Sequence, residues 1–206
     1  MTTPVLPVYA IARHRIAQDG DGVVTLVAVS GCPLHCKYCI NPEGRDASAP
    51  TTQFTPQQLY DQVKIDDLYF QATDGGVTFG GGEPLMHPEF LREFARIAKS
   101  QWKLRVETSL NVPENNIFLP FDEYIVDVKD FHEKTYQNYT GKSGKQARDN
   151  LKKLLDFIGP EHIFTRVPSI PAYNTPDDVN ETVETLKHMG ITRIQTFPYR
   201  LPINPE

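Results

Sequence analysis

Three cysteines, Cys32, Cys36 and Cys39, lie within eight residues, and the 206-residue chain has no other. They sit in Gly31-Cys32-Pro33-Leu34-His35-Cys36-Lys37-Tyr38-Cys39-Ile40-Asn41-Pro42. No fourth thiol exists to close a tetrahedral site or to complete two disulfides. An odd, tightly spaced set is unlike a secreted disulfide framework, and the simplest location is a reducing cytoplasm. Three chemistries fit. Zinc could take the three thiolates with a histidine such as His35. Cys36 and Cys39 could form a C-x-x-C redox pair. An iron–sulfur cluster could take all three and leave one iron without a protein ligand. Spacings of four and then three residues let one short loop wrap a cuboidal cluster, whereas Cys3His zinc sites spread their ligands over two distant pairs.

The loop follows residues 23–30 (Val-Val-Thr-Leu-Val-Ala-Val-Ser), a β-branched apolar run that reads as a strand buried on both faces. Residues 41–54 are polar and read as a loop. Thr55-Pro56-Gln57-Gln58 is a helix start with a capping-box glutamine. A short strand at 76–79 runs into Gly80-Gly81-Gly82-Glu83-Pro84. A helix over 87–99 carries Phe90, Leu91, Phe94 and Ile97 on one stripe. Strands follow at 103–108 and 124–129, and an amphipathic helix at 143–158 stops at Gly159-Pro160. A strand at 163–170, a helix from Thr175 through Met189 closed by Gly190, and a strand at 194–197 complete the pattern. Strands alternating with helices predict parallel βα units. About six strands are too few for a closed eight-fold barrel, so the expected fold is an α/β partial (β/α)6 TIM-like open barrel, one domain over 1–206. Functional-looking residues recur at strand C-terminal ends, where such sheets place their sites.

Other classes fit poorly. The net charge is −5, with 21 Lys and Arg against 26 Asp and Glu. No basic run is present, so no nucleic-acid partner is expected. Pro4 and Pro7 interrupt the apolar residues of the N-terminal segment, which reads as no signal peptide, and no apolar run is long enough to cross a membrane.

C-x-x-x-C-x-x-C with Tyr38 just before the last cysteine resembles the hallmark of the radical S-adenosylmethionine (SAM) superfamily. The likeness extends to glycyl-radical-enzyme activating enzymes of the pyruvate formate-lyase activator type. It is carried by the cysteine loop with Asn41-Pro42-Glu43, by Thr78-Phe79-Gly80-Gly81-Gly82-Glu83-Pro84, and by Val106-Glu107-Thr108. Asp127-Val128-Lys129, Arg166 with Pro171, and Pro198-Tyr199 complete it. The resemblance implies a 4Fe–4S cluster held by Cys32, Cys36 and Cys39 whose open iron is chelated by SAM. It further implies reductive cleavage of SAM to a 5′-deoxyadenosyl radical that abstracts a hydrogen atom. The expected partners are a glycyl radical enzyme as protein substrate and a flavodoxin- or ferredoxin-like electron donor. Alternatives are a radical SAM enzyme acting on a small molecule or peptide, and a zinc-stabilised binding module without catalysis.

The same resemblance assigns the remaining roles. Gly81, Gly82 and Glu83 would meet the SAM amino group. Glu107 stands where the family usually has aspartate against SAM. Asp127 and Lys129 alternate along a strand and should share a face, with the lysine near the SAM carboxylate and the aspartate near the ribose or sulfonium. Unpaired, such charges on an apolar run would be costly, so a mutual ion pair is the plain alternative. Arg166 would sit in the substrate-side cavity, or bridge to Asp127 or Glu107. Ile40 and Arg200 stand where histidines are common. Arg200 could stack on adenine through its planar face. The sequence ends soon after the last strand, which would leave the sheet edge open to a macromolecular substrate.

Overall fold

The computed structural model describes residues 3–98 and 101–199. The elements are β1 (Leu6–Ile16), β2 (Val23–Val29), α1 (Pro42–Arg45), β3 (Thr52–Phe54), α2 (Pro56–Val63), α3 (Asp67–Thr73), β4 (Gly76–Gly81) and α4 (Pro88–Ala98). They continue with β5 (Lys103–Thr108), β6 (Glu123–Asp127), α5 (Glu133–Thr140), α6 (Lys145–Ile158), β7 (Ile163–Ser169), α7 (Pro176–His188) and β8 (Arg193–Pro198). One open sheet has the order β3-β1-β2-β4-β5-β6-β7-β8. The six strands from β2 to β8 pair in parallel, as the βα alternation predicts.

Two strands differ from the sequence expectation. Residues 6–16 form an 11-residue strand antiparallel to β2, and Thr52–Phe54, inside the segment read as a loop, pairs antiparallel with β1. Proline at position 7 is compatible with strand geometry near a strand start, and the three-residue β3 is too short to show a period. The strand that runs through Val126 ends at Asp127, so Lys129 lies just beyond it.

Helix starts follow their local signals. Thr55 accepts from the backbone of Gln58 while the Gln58 side chain returns to Thr55, and Thr175 with Asp178 repeats the arrangement. Phe90, Leu91, Phe94, Ala95 and Ala98 bury one face of α4 against Phe79, Leu104 and Val106 in the main core. The register places the two sheet faces differently. Thr78 pairs with Arg105 and Arg105 with Glu123, while Asp127 pairs with Arg166. Paired parallel residues share a face, so the inner face is polar while Val77, Phe79, Leu104 and Val106 supply the apolar outer face. The β1–β2 turn lies under that inner face: Thr78 Oγ1 donates to the Asp19 carbonyl at 2.6 Å, and Arg166 donates to the Gln18 carbonyl. No helix among the described residues is long and apolar enough to cross a membrane.

Candidate functional site

The C-terminal ends of the parallel strands form one rim. β2 delivers the cysteine loop, β4 the glycine loop, β5 Glu107, β6 Asp127 and Lys129, and β7 Arg166. The two loops are stitched together by backbone bonds. Gly82 N donates to the Val29 carbonyl at 2.8 Å, and Glu83 N to the Gly31 carbonyl at 2.8 Å. The glycine run reflects close approach at each residue. A side chain at Gly82 would run into the Gly31 carbonyl, one at Gly81 would lie 2.8 Å from the Tyr9 hydroxyl, and one at Gly80 would lie 2.5 Å from the Glu107 carboxylate. Gly81 also has φ +89.

The far side of the cysteine loop hangs from α5. His35 N donates to the Thr140 carbonyl at 2.9 Å and Lys37 N to the Tyr139 carbonyl at 3.0 Å, while Arg45 Nη1 donates to the Cys36 carbonyl at 3.1 Å. Those last carbonyls of a helix have no partner within it, so a neighbouring loop can take them. Cys36 is buried and Cys32 and Cys39 are half-buried, all three as free thiols. Around them pack Leu34, Ile170 and the rings of Tyr38, Tyr139, Tyr173 and Tyr199.

This apolar setting suits a metal centre better than bare thiolates. Burial pushes the Cys32 thiol up to about 12, with the nearby Glu83 charge adding to the rise. Burial also raises Cys36, opposed by the Lys129 ammonium. Three neighbouring thiols in such surroundings lose their protons when a positively charged centre takes them. Among the described residues, no three His, Cys, Asp or Glu side chains converge as ligands of a single ion. A cuboidal cluster instead takes each thiolate at a separate iron. The soft donors, the dry surroundings and one adjacent ammonium therefore fit a cluster of that kind.

The other expected residues fall on this rim with particular partners. Lys129 Nζ donates to Asp127 Oδ2 at 3.0 Å, and both side chains are largely shielded. Burial alone would lower Lys129, but Asp127 and the Cys36 charge outweigh it and hold the ammonium well above its ordinary value. Arg166 Nη1 donates to Glu107 Oε1 at 2.7 Å, so Arg166 is held between Glu107 and the β1–β2 turn. Glu83 faces inward. Its carboxylate accepts from Thr108 Oγ1 (2.8 Å), Ser109 N (2.9 Å), Ser109 Oγ (2.8 Å) and Leu85 N (3.3 Å), and the residue is 1% exposed. Tyr38 lies against the other tyrosines, with its ring centroid 5.6 Å from that of Tyr173. Arg200 lies outside the described residues.

Glu107 carries a pH signature. Burial pushes its carboxyl up to about 7, the Arg166 charge opposes the rise, and Asp127 and Asp19 add to it. The folded chain therefore binds this proton more tightly than the unfolded chain. Its contribution to stability is complete below the ordinary carboxylate pKa of about 4.3 and is lost as pH rises through about 7. In urea unfolding of the apo protein, wild type is expected to lose stability relative to Glu107→Gln between pH 5 and pH 8, on the order of 1–2 kcal/mol. Parallel pH profiles would show that Glu107 ionises freely in the fold.

Several rim residues are not among those the sequence pattern singles out. Tyr9 wedges between Gly44 and Gly81, and it belongs to β1, whose sequence carries no clean period of two. Tyr139 lies on α5, where Tyr136, Tyr139 and Thr140 are buried at helical spacing before Gly141. That three-four spacing ahead of a glycine was the available signal.

A family model described as Radical SAM superfamily matches residues 26–197. The pyruvate formate-lyase-activating enzyme of Clostridium pasteurianum is 28% identical over 189 residues, covering 88% of this chain and 77% of the relative. The enzyme of the same name from Staphylococcus aureus is 26% identical over 193 residues, covering 88% and 76%. Among solved structures, Streptococcus suis SuiB bound to S-adenosylmethionine aligns with a TM-score of 0.65 at 14% identity, covering 88% of this chain and 41% of that one. Native anSMEcpe with bound AdoMet aligns at 0.59 and 18% identity, covering 87% and 52%. At these identities the two structures share the fold.

Proposed function

The chain belongs to the radical SAM superfamily, and on that premise we propose that it installs a glycyl radical on a partner enzyme. The observation that carries the reading is the trio of free cysteines at the end of β2, facing a rim that presents Asp127–Lys129 and Glu107–Arg166. The names of its relatives, 26–28% identical over most of the chain, favour the activating type. The alternative, hydrogen abstraction from a small molecule or peptide, uses the same rim.

A 4Fe–4S cluster with SAM bound to it would supply the chemistry, reductive cleavage of SAM followed by hydrogen-atom abstraction. The chain holds, orients and shields. Cys32, Cys36 and Cys39 would hold the cluster through their thiolates. The Lys129 ammonium has three protons and gives one to Asp127, which leaves two for a carboxylate. The bare backbone at Gly81 and Gly82 admits a ligand closely, and Glu83 holds the start of the β5 turn behind it. Glu107 and Asp127 are the acceptors available to an ammonium or a ribose hydroxyl. Arg166, locked by Glu107, orients whatever enters from the inner face. Tyr38 and its neighbouring rings exclude water. Free cysteines and an air-sensitive cluster fit a reducing cytoplasm, with a flavodoxin- or ferredoxin-like donor.

The test is anaerobic reconstitution with iron and sulfide, then dithionite and SAM. The expected result is a brown protein with roughly four irons per chain that forms 5′-deoxyadenosine. A colourless zinc protein, or a full cluster that forms none, overturns the mechanism. Addition of candidate glycyl radical enzymes should then give a glycyl EPR signal. Turnover of a small substrate with no such signal overturns the activating role alone.

A further inference from the structure

Tyr139 has a buried hydroxyl that makes no hydrogen bond of normal geometry, with the Tyr199 hydroxyl as its polar neighbour. The residue is 1% exposed, and its hydroxyl is one of two buried side-chain polar atoms among the described residues that make no hydrogen bond. A buried hydroxyl with no partner is costly, so native proteins rarely keep one unless something else completes it. Its position is specific. Tyr139 packs in the same small cluster as Cys36, with Cys32 and Cys39 against it. Its ring is fixed by Tyr173 at 5.3 Å and Tyr199 at 6.3 Å between centroids. Its backbone carbonyl holds Lys37 N, inside the cysteine loop. The residue is therefore tied to that loop at both ends.

Resting on the cluster reading above, we propose that Tyr139 is a positioning residue that donates its hydroxyl hydrogen bond to a sulfur of the iron–sulfur centre on the Cys36 side. Hydrogen bonds to cluster and thiolate sulfurs stabilise the more negative, reduced state and so raise the reduction potential. A phenol suits the task. It stays neutral at working pH, donates one bond and brings an apolar ring that keeps the site dry. Lys129, the charged donor beside Cys36, gives one bond to Asp127 and, in the site proposed above, its remaining two to a carboxylate. Neither Tyr38 nor Tyr173 is an orphaned buried donor of this kind.

Tyr139→Phe removes the hydroxyl and keeps the ring. In reconstituted protein without SAM, redox titration followed by EPR should show the variant harder to reduce. At a fixed applied potential its reduced-to-oxidised ratio is expected to fall about tenfold, which is 59 mV for a one-electron couple. Electron–nuclear double resonance in D2O should show one exchangeable proton coupling in wild type that the variant lacks. Tyr173→Phe, in the same cage, should leave both readouts unchanged. Equal potentials and couplings in wild type and Tyr139→Phe overturn the inference. If the variant takes up no cluster while its apo form keeps the wild-type circular dichroism, the hydroxyl is needed to hold the centre and the inference stands. If the apo variant is itself unfolded, the hydroxyl is structural and the inference falls. A wild-type chain that takes up no cluster instead overturns the proposed function, an outcome distinct from all of these.

Discussion

Cys36→Ser is expected to abolish iron and sulfide uptake and to reduce SAM cleavage by more than 100-fold. Cys36 is the most enclosed of the three thiols, packed with Leu34, Tyr139 and Ile170. A serine hydroxyl is a hard donor with a far higher pKa, and a soft iron–sulfur centre does not take it in place of thiolate. Loss of a residue that only supports a metal ligand costs about 10–100-fold, so loss of a ligand from a set of three should exceed that range. The apo protein should survive the change. Serine places a hydroxyl in a mainly apolar spot at a cost of about 1–3 kcal/mol, while the loop keeps its backbone bonds from His35 and Lys37 to α5. The measurements are iron and sulfide content, visible absorbance and 5′-deoxyadenosine yield, with circular dichroism as the folding control. A folded variant that retains four irons and cleaves SAM would remove Cys36 from the ligand set.

The parallel half of the fold was legible because its signals are local. A β-branched run leading into each functional loop, and capping residues ahead of α2 and α7, specify strand and helix without distant contacts. Cysteine spacing is equally local, and it led to the loop that the fold presents at the rim. The antiparallel pair β1 and β3 was hidden. β1 carries alternating partial burial and two register irregularities against β2, so no clean period of two survives in its sequence. Tyr9 was lost with it. Tyr139 escaped notice because its role depends on α5 docking its last carbonyls onto the cysteine loop, a contact about a hundred residues away along the chain. The partners of Glu83 were similarly out of reach, and for Arg166 the sequence offered Asp127 and Glu107, of which the fold takes Glu107. A buried charge announces in sequence that it needs a partner, but the register between β5 and β7 decides which one it meets.

Glu83 shows what that difference means in energy. Glu83→Gln is expected to destabilise the apo protein by about 3 kcal/mol, lowering its melting temperature by about 6–12 °C. The two carboxylate oxygens each accept from one hydroxyl and one backbone N–H: Thr108 Oγ1 and Leu85 N on one side, Ser109 Oγ and Ser109 N on the other. Hydroxyl groups can rotate to donate or accept, but a backbone N–H cannot. Whichever way the glutamine amide turns, its NH2 faces a backbone donor, at a residue only 1% exposed. Burial raises the Glu83 pKa while these four donors lower it, so the carboxylate depends on the whole set. Because Glu83 N also holds the Gly31 carbonyl, the strain should reach the strand end that presents Cys32. Urea and thermal unfolding of the apo protein check the magnitude. In protein that still folds and takes up the cluster, SAM affinity should fall only modestly, since the carboxylate is already fully engaged. A variant as stable as wild type but deficient in SAM binding would reverse the assignment and return the Glu83 carboxylate to the ligand.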